Sequence, residues 1–84
     1  MKLRGPNGIQ IELDIEDQDT PAMVYRGRYS ASWDYAMSTG VLNSYAGTES
    51  EYPITAAEMK WLENQEDEVN RTFNVARSGN PDYS

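Results

Sequence analysis

The chain has 84 residues, of which 14 are Asp or Glu and 7 are Lys or Arg, so its formal net charge is −7. A chain of this length has room for one hydrophobic core, and we expect a single domain over residues 1–77 followed by a flexible tail over residues 78–84. The sequence contains no Cys and no His, which excludes Cys/His zinc sites, iron–sulfur clusters, disulfides and His-based catalytic triads.

The acidic balance also disfavours direct binding to nucleic acid, because phosphate binding depends on clustered Lys and Arg. The sequence has no window of about 18 apolar residues, and its first residues lack the apolar run of a secretory signal. We therefore expect a soluble protein in the cytoplasm that has no contact with a membrane.

The first periodic segment covers residues 9–16, where apolar residues occupy the odd positions and polar residues the even ones. The apolar residues are Ile9, Ile11, Leu13 and Ile15, and the polar ones are Gln10, Glu12, Asp14 and Glu16. A period of two predicts a half-buried strand with its carboxylates facing outward. Before this strand, the turn sequence of residues 5–8 predicts a short edge strand at residues 2–4.

A longer alternation follows over residues 23–37. Its odd positions carry Met23, Tyr25, Gly27, Tyr29, Ala31, Trp33, Tyr35 and Met37. We predict a second strand that bends near Gly27 or Ala31 and pairs antiparallel with the first across the polar loop of residues 17–21. This pairing would place the carboxylates of residues 12–16 opposite Arg26 and Arg28.

Residues 38–40 predict a turn into a further strand. That strand would contain Val41, Leu42 and Tyr45 and end at residues 46–48.

The C-terminal third has a helical period. Thr55 and Glu58 form a capping-box pattern, and Ile54 and Met59 have the spacing of a hydrophobic staple. Because both motifs mark the beginning of a helix, we expect a helix to begin at residue 56. Its apolar stripe consists of Met59, Leu62, Val69, Phe73 and Ala76, with Trp61 beside it. Glu66 interrupts this stripe, which predicts either an Arg partner for it or a helix that projects beyond the core. The elements together predict an α+β fold, an antiparallel β-meander of three or four strands packed against one C-terminal α-helix.

Two acidic groups supply the candidate partner-binding residues. The first is Glu12, Asp14, Glu16, Asp17 and Asp19, and the second is Glu63, Glu66 and Asp67. On a strand, residues two apart place their charges about 6.6–7 Å apart, which is comparable to phosphate spacing along a nucleic-acid strand. The alternative for the first group is a solvated strand face partly neutralised by Arg26 and Arg28. In the second group, like charges three to four residues apart would destabilise the middle of a helix, and a cationic partner would relieve that repulsion.

The other candidate sites are weaker. Residues 17–19 resemble the start of a calcium loop, but the glycine and the later ligands of such a loop are missing, so we expect no metal and no cofactor. The tyrosine row Tyr25, Tyr29, Trp33 and Tyr35 shares its parity with Met23 and Met37, which favours a place in the core over a base-stacking surface. No spacing of acidic residues supports acid–base catalysis, and we expect no enzymatic activity.

These features favour a non-enzymatic protein that presents acidic surface to a partner protein with a basic surface. In its size, its acidity and its lack of Cys and His, the chain resembles as a class the small inhibitors that bacteriophages encode, including anti-CRISPR proteins and DNA mimics. The resemblance implies a nucleic-acid-binding partner in the host cytoplasm. The alternative is a structural, assembly or regulatory module that binds a protein partner, or a second copy of itself as a homodimer, through apolar or edge-strand contacts. A third hypothesis is a binder of small molecules or single-stranded nucleic acid that uses the tyrosine row.

Overall fold

The computed structural model describes residues 1–44 and 50–78, except for the side chain of residue 44. Within these ranges the chain forms six strands and three α-helices. The strands are β1 (Lys2–Arg4), β2 (Ile9–Leu13), β3 (Ala22–Arg26), β4 (Tyr29–Ser32), β5 (Val41–Ser44) and β6 (Glu51–Pro53). The helices are α1 (Trp33–Thr39), α2 (Ala56–Asn64) and α3 (Glu66–Ser78).

The six strands form one antiparallel sheet in the order of the chain, β1 to β6. The predicted α+β fold, an antiparallel meander with a C-terminal helix, is therefore confirmed, with six strands in place of three or four. The predicted edge strand at residues 2–4 and the strand that begins at Val41 are both present. Tyr45, the predicted strand end at residues 46–48 and residues 79–84 of the predicted tail lie outside the described residues. Ser78, predicted as the first residue of the tail, is the last residue of α3.

The core lies on one face of the sheet. The odd-numbered residues of β2 are buried, and Ile11 pairs with Leu3 on one side and with Val24 on the other. The opposite face carries a polar row that runs through all six strands, and its members are half-buried or exposed. This row consists of Arg4, Gln10, Tyr25, Ser30, Asn43 and Glu51.

The predicted strand over residues 23–37 is wrong in its extent and in its buried face. Gly27 has a φ of 61° and, with Arg28, forms a two-residue turn that reverses the chain and pairs Arg26 with Tyr29. In such a turn residue i lies opposite residue i+3, so each even-numbered residue pairs with an odd-numbered one. The residues that face the core are therefore even-numbered in β3 and odd-numbered in β4. Val24 is accordingly fully buried, whereas Met23 and Tyr25 are only half-buried.

Residues 33–39 form helix α1, although the alternation predicted a strand there. The Ser32 hydroxyl accepts a hydrogen bond from the Tyr35 N–H (3.3 Å) and caps the helix. Gly40 ends it in the left-handed region with a φ of 74°. Trp33 and Ala36, three residues apart, are both buried, which shows that this segment follows the helical period.

The C-terminal helix begins at Ala56 with the predicted capping box, and the predicted apolar stripe packs against the core. The chain forms two helices here instead of one, because Gln65 leaves the helical conformation with a φ of −94° and a ψ of 2°. The break places Glu66 at an exposed position where α3 begins. Neither the predicted Arg partner nor a projecting helix is therefore needed to accommodate it.

Candidate functional site

The β2–β3 connection carries four of the predicted partner-binding residues on an ordered turn. The Asp14 N–H donates to the Pro21 carbonyl (2.8 Å), and the Asp17 N–H donates to the Asp14 carbonyl (3.3 Å). The Asp14 carboxylate also accepts a hydrogen bond from the Glu16 N–H (2.9 Å). We call residues 14–19 the acidic loop; the side chains of this loop are all exposed.

Asp17 holds the second half of the acidic loop. Its Oδ1 accepts hydrogen bonds from the N–H groups of Thr20 (2.9 Å) and Asp19 (3.1 Å). The Thr20 backbone hydrogen bond is the main cause that lowers the pKa of the Asp17 carboxyl below its ordinary value of 3.8. Glu16 and Asp19 accept no hydrogen bond from any described residue, so their carboxylates face water.

Glu12 lies apart from the acidic loop. It is on β2, half-buried, and its carboxylate is 3.9 Å from the Lys2 ammonium on β1. The predicted row of strand carboxylates is wrong, because β2 ends at Leu13 and leaves Asp14 and Glu16 in the turn. The predicted pairing with arginine is also wrong, since Met23 lies opposite Glu12 and Ile9 lies opposite Arg26.

The second predicted group lies where α2 ends and α3 begins. Glu63 is exposed near the end of α2, while Glu66, Asp67 and Glu68 form the first turn of α3, which we call the acidic turn. Carboxylates in a first turn are stabilised by the unpaired N–H groups and the helix dipole. The helix break thus places these carboxylates in a first turn, where this stabilisation offsets the repulsion between like charges that was predicted for the middle of a helix. No cationic partner is required for folding.

A groove of about 520 Å³ connects the two acidic segments. Asp14 of the acidic loop and Glu68 of the acidic turn both contribute to its lining. Glu68 also pairs with Arg71 at 3.3 Å. Among the described residues, no other carboxylate of the acidic loop or the acidic turn forms an ion pair. The tertiary structure therefore brings two acidic segments that are far apart in the sequence to one groove, which Arg71 and Met1 with its ammonium also line.

The structure also contains a buried carboxylate that the sequence interpretation treated only as part of a cap. Glu58 is fully buried and accepts hydrogen bonds from the Tyr52 hydroxyl (2.8 and 2.9 Å to its two oxygens) and from the Thr55 N–H (2.9 Å). Burial raises the pKa of Glu58, but the hydrogen bonds from Thr55, Tyr52 and Asn7 outweigh it and lower the pKa below the ordinary 4.5. The signal available in the sequence was an internal acidic residue within a capping box.

Arg26 and Arg28 contact tyrosine rings at or next to this network and, within the described ranges, form no ion pair with the acidic loop. The Arg26 guanidinium lies 4.6 Å from the centre of the Tyr52 ring, and the Arg28 guanidinium lies 5.8 Å from that of Tyr29. The two tyrosine rings are themselves 5.8 Å apart. Burial, followed by the hydrogen bond to Glu58, raises the pKa of the Tyr52 hydroxyl. This cluster stabilises the edge of the core next to β6.

The predicted tyrosine row does not exist as one surface. Tyr25 lies on the polar face of the sheet, and Tyr29 lies beside Tyr52 at the edge of the core. Trp33 is buried where α1 begins, and Tyr35 is exposed on the same helix. Trp33 is part of the buried core, and Tyr29 is partly buried and packs against it, so the prediction that the row forms the core floor is wrong for Tyr25 and Tyr35.

The described residues contain no group of three or more acidic side chains placed to hold a metal ion. None of the helices in the described ranges is long and apolar enough to cross a membrane. No protein-family model matches the chain, and no curated protein and no solved structure is significantly similar to it.

Proposed function

We propose that the protein is a non-enzymatic interaction protein that presents the acidic loop and the acidic turn to a basic surface of a partner protein. The observation that carries this proposal is that Asp14 and Glu68 line the same groove. Carboxylates held close together on a folded frame raise the association rate with a positively charged surface. The turn hydrogen bonds of Asp14 and Asp17 order the loop in advance and reduce the entropy lost on binding.

The partner class that fits this chemistry is a protein with a nucleic-acid-binding channel, whose cationic lining is built to hold phosphates. Blocking such a channel in the cytoplasm of a bacterial host is the role of small phage-encoded inhibitors, the anti-CRISPR and DNA-mimic class. Because the strand row of carboxylates is absent, the mimicry in this proposal depends on clustered charge and not on the regular spacing of a nucleic-acid strand.

The test is a pull-down from bacterial lysate with two variants that change the net charge equally. Glu16→Lys/Asp19→Lys alters the acidic loop at side chains that hold no described hydrogen bond, and Asp34→Lys/Glu51→Lys alters exposed positions elsewhere. We expect the unmodified chain and the second variant to capture a partner at low salt and to release it at high salt. The loop variant should capture none while its far-UV circular dichroism is unchanged.

Two results would contradict the proposal. Retention of the partner by the loop variant would remove the acidic loop from the interaction. Equal loss in both variants would show that net charge, and not the acidic surface, controls capture.

The assembly module is the second candidate, and one observation favours it: Met1 and Ile15, 66% and 47% exposed, line the same groove. Strand addition is less favourable, because β1 carries Lys2 and Arg4 and β6 ends in Pro53, features that protect sheet edges. This candidate predicts binding that salt does not weaken, together with a size-exclusion mass above that of the monomer.

A further inference from the structure

The groove between α3 and the end of β2 has apolar walls and a charged rim. Its α3 side is built from residues spaced by three and four, which lie on one face of the helix. These residues are Glu68, Arg71, Thr72 and Val75. The opposite side consists of Met1, Leu13, Asp14 and Ile15. The Thr72 hydroxyl donates to the Glu68 carbonyl (3.0 Å) and Arg71 pairs with Glu68, so these polar groups already have partners.

Ile15 occupies an unusual place in this groove. It follows Asp14 in a turn closed by the hydrogen bond between the Asp17 N–H and the Asp14 carbonyl, a position where Pro or polar residues are typical. Three large hydrophobic side chains are exposed in the described chain, and two of them, Met1 and Ile15, line this groove. Apolar surface concentrated at one place in this way marks an interaction site more often than scattered exposed residues do.

We propose that this groove binds an apolar side chain of the partner that is flanked by Lys or Arg. The argument is charge complementarity: Asp14 and Glu16 flank the apolar Ile15 on the acidic loop, so the matching segment has a basic–apolar–basic pattern. Two cations also line the groove: Arg71, which pairs with Glu68 at 3.3 Å, and the Met1 ammonium, which donates to the Leu13 carbonyl (3.0 Å). They do not reverse the sign of the rim, because the acidic loop alone carries four carboxylates. The inference rests on the proposed function and adds a short-range apolar contact that gives the electrostatic attraction its specificity.

The size of the groove agrees with this occupant. A volume of about 520 Å³ lies within the roughly 300–1,000 Å³ of typical ligand sites. An inserted side chain would cover the exposed half of Ile15, and the flanking cations would reach the carboxylates on either side of it.

The test uses a synthetic peptide with one Leu between Lys and Arg residues and a second peptide with Ser in place of that Leu. Both are titrated into the ¹⁵N-labelled full chain at low salt. We expect the Leu peptide to bind about fivefold more tightly, as covering half of an isoleucine side chain implies. It should shift the amide signals of Leu13, Thr72 and Val75, which line the groove outside the acidic loop, whereas the Ser peptide should shift mainly the acidic loop.

Two variants test whether the preference for the Leu peptide over the Ser peptide arises in the groove. Ile15→Ala should remove the preference for Leu over Ser, and since Ile15 is exposed in a turn, this variant is expected to fold. Val75→Thr keeps the shape of the opposite wall, makes it polar and should reduce the same preference. Tyr35→Ala is the matched control, because Tyr35 is an exposed apolar residue outside the groove, and it should leave the preference unchanged.

The outcomes separate this inference from the proposed function. Equal affinities for the two peptides, with shifts confined to the acidic loop, would overturn the groove inference and leave the acidic surface in place. Absence of binding by either peptide at low salt would contradict both. A third result would also overturn the inference. If the amide signals of the groove shift with rising protein concentration in the absence of peptide, and the protein has the mass of a dimer that Ile15→Ala abolishes, the groove binds a second copy of the chain.

Discussion

Replacing Glu58 with Gln tests the buried hydrogen-bond network where α2 begins. The carboxylate is fully buried and accepts hydrogen bonds from the Tyr52 hydroxyl and the Thr55 N–H. Gln has nearly the same shape and can still accept hydrogen bonds, but it carries no charge. The substitution therefore removes charge assistance from at least the two bonds that Tyr52 and Thr55 donate, and it creates almost no cavity.

The expected loss of stability follows from those two bonds. Hydrogen bonds to charged groups contribute about 1.5–3 kcal/mol each, and neutral ones about 0.5–1.5 kcal/mol. The loss of charge thus costs about 1 kcal/mol per bond and about 2 kcal/mol in total. For a domain of this size each kcal/mol changes the Tm by about 4–8 °C, so the Tm of Glu58→Gln should fall by about 8–16 °C at neutral pH.

Thermal unfolding followed by circular dichroism measures this difference, with Glu63→Gln as the control. Glu63 is on the same helix but exposed, so the same chemical change there should alter stability by less than about 0.5 kcal/mol. Because the folded state lowers the pKa of Glu58, its contribution is complete above the ordinary value of 4.5 and is lost as the pH falls through the folded value. The Tm gap between the unmodified chain and Glu58→Gln should narrow in acid. Two results would refute this reasoning. One is equal Tm values for Glu58→Gln and Glu63→Gln; the other is a Tm difference between the unmodified chain and Glu58→Gln that stays constant from neutral pH to about pH 3.

Three further predictions concern single positions. Asp17→Asn should increase hydrogen exchange at the Thr20 amide, because a neutral amide oxygen accepts its hydrogen bond less strongly; unchanged exchange would contradict the role of Asp17 in ordering the loop. Gly40→Ala should cost about 1–2 kcal/mol in denaturant unfolding, because φ at Gly40 is 74°; a neutral effect would contradict that conformation. In Gly5→Ala the new Cβ would lie 2.5 Å from the Trp61 ring, so a loss of about 1–3 kcal/mol and a changed tryptophan emission are expected; unchanged emission would refute the close approach.

Several elements could be predicted because their signals are local. The capping box of Thr55 and Glu58 fixes where α2 begins through bonds between residues three apart. The apolar alternation from Ile9 to Leu13 predicts β2 and its buried face, since a strand must bury one face. Residues 17–21 could be assigned to a loop for the same reason, because clustered carboxylates and a proline are incompatible with the middle of a strand. Residues 14–16, which continue the apolar alternation, were wrongly assigned to the strand.

The predictions for residues 23–37 were wrong because the local sequence pattern there is compatible with two different structures. Alternation through Gly27 agrees with one long strand or with a two-residue hairpin, and the choice depends on which face packs against the core. Residues 33–37 satisfy both a strand period and a helix period, and the cap at Ser32 decides between them.

The sequence by itself determined the α+β class, the start of α2 at Ala56 and the presence of two acidic segments, because each depends on residues close together in the chain. Only the tertiary structure decided that Asp14 and Glu68 line one groove and that Glu58 is buried against Tyr52. Such contacts depend on strand register and on the break at Gln65, which are set by packing between distant parts of the chain and not by any local pattern.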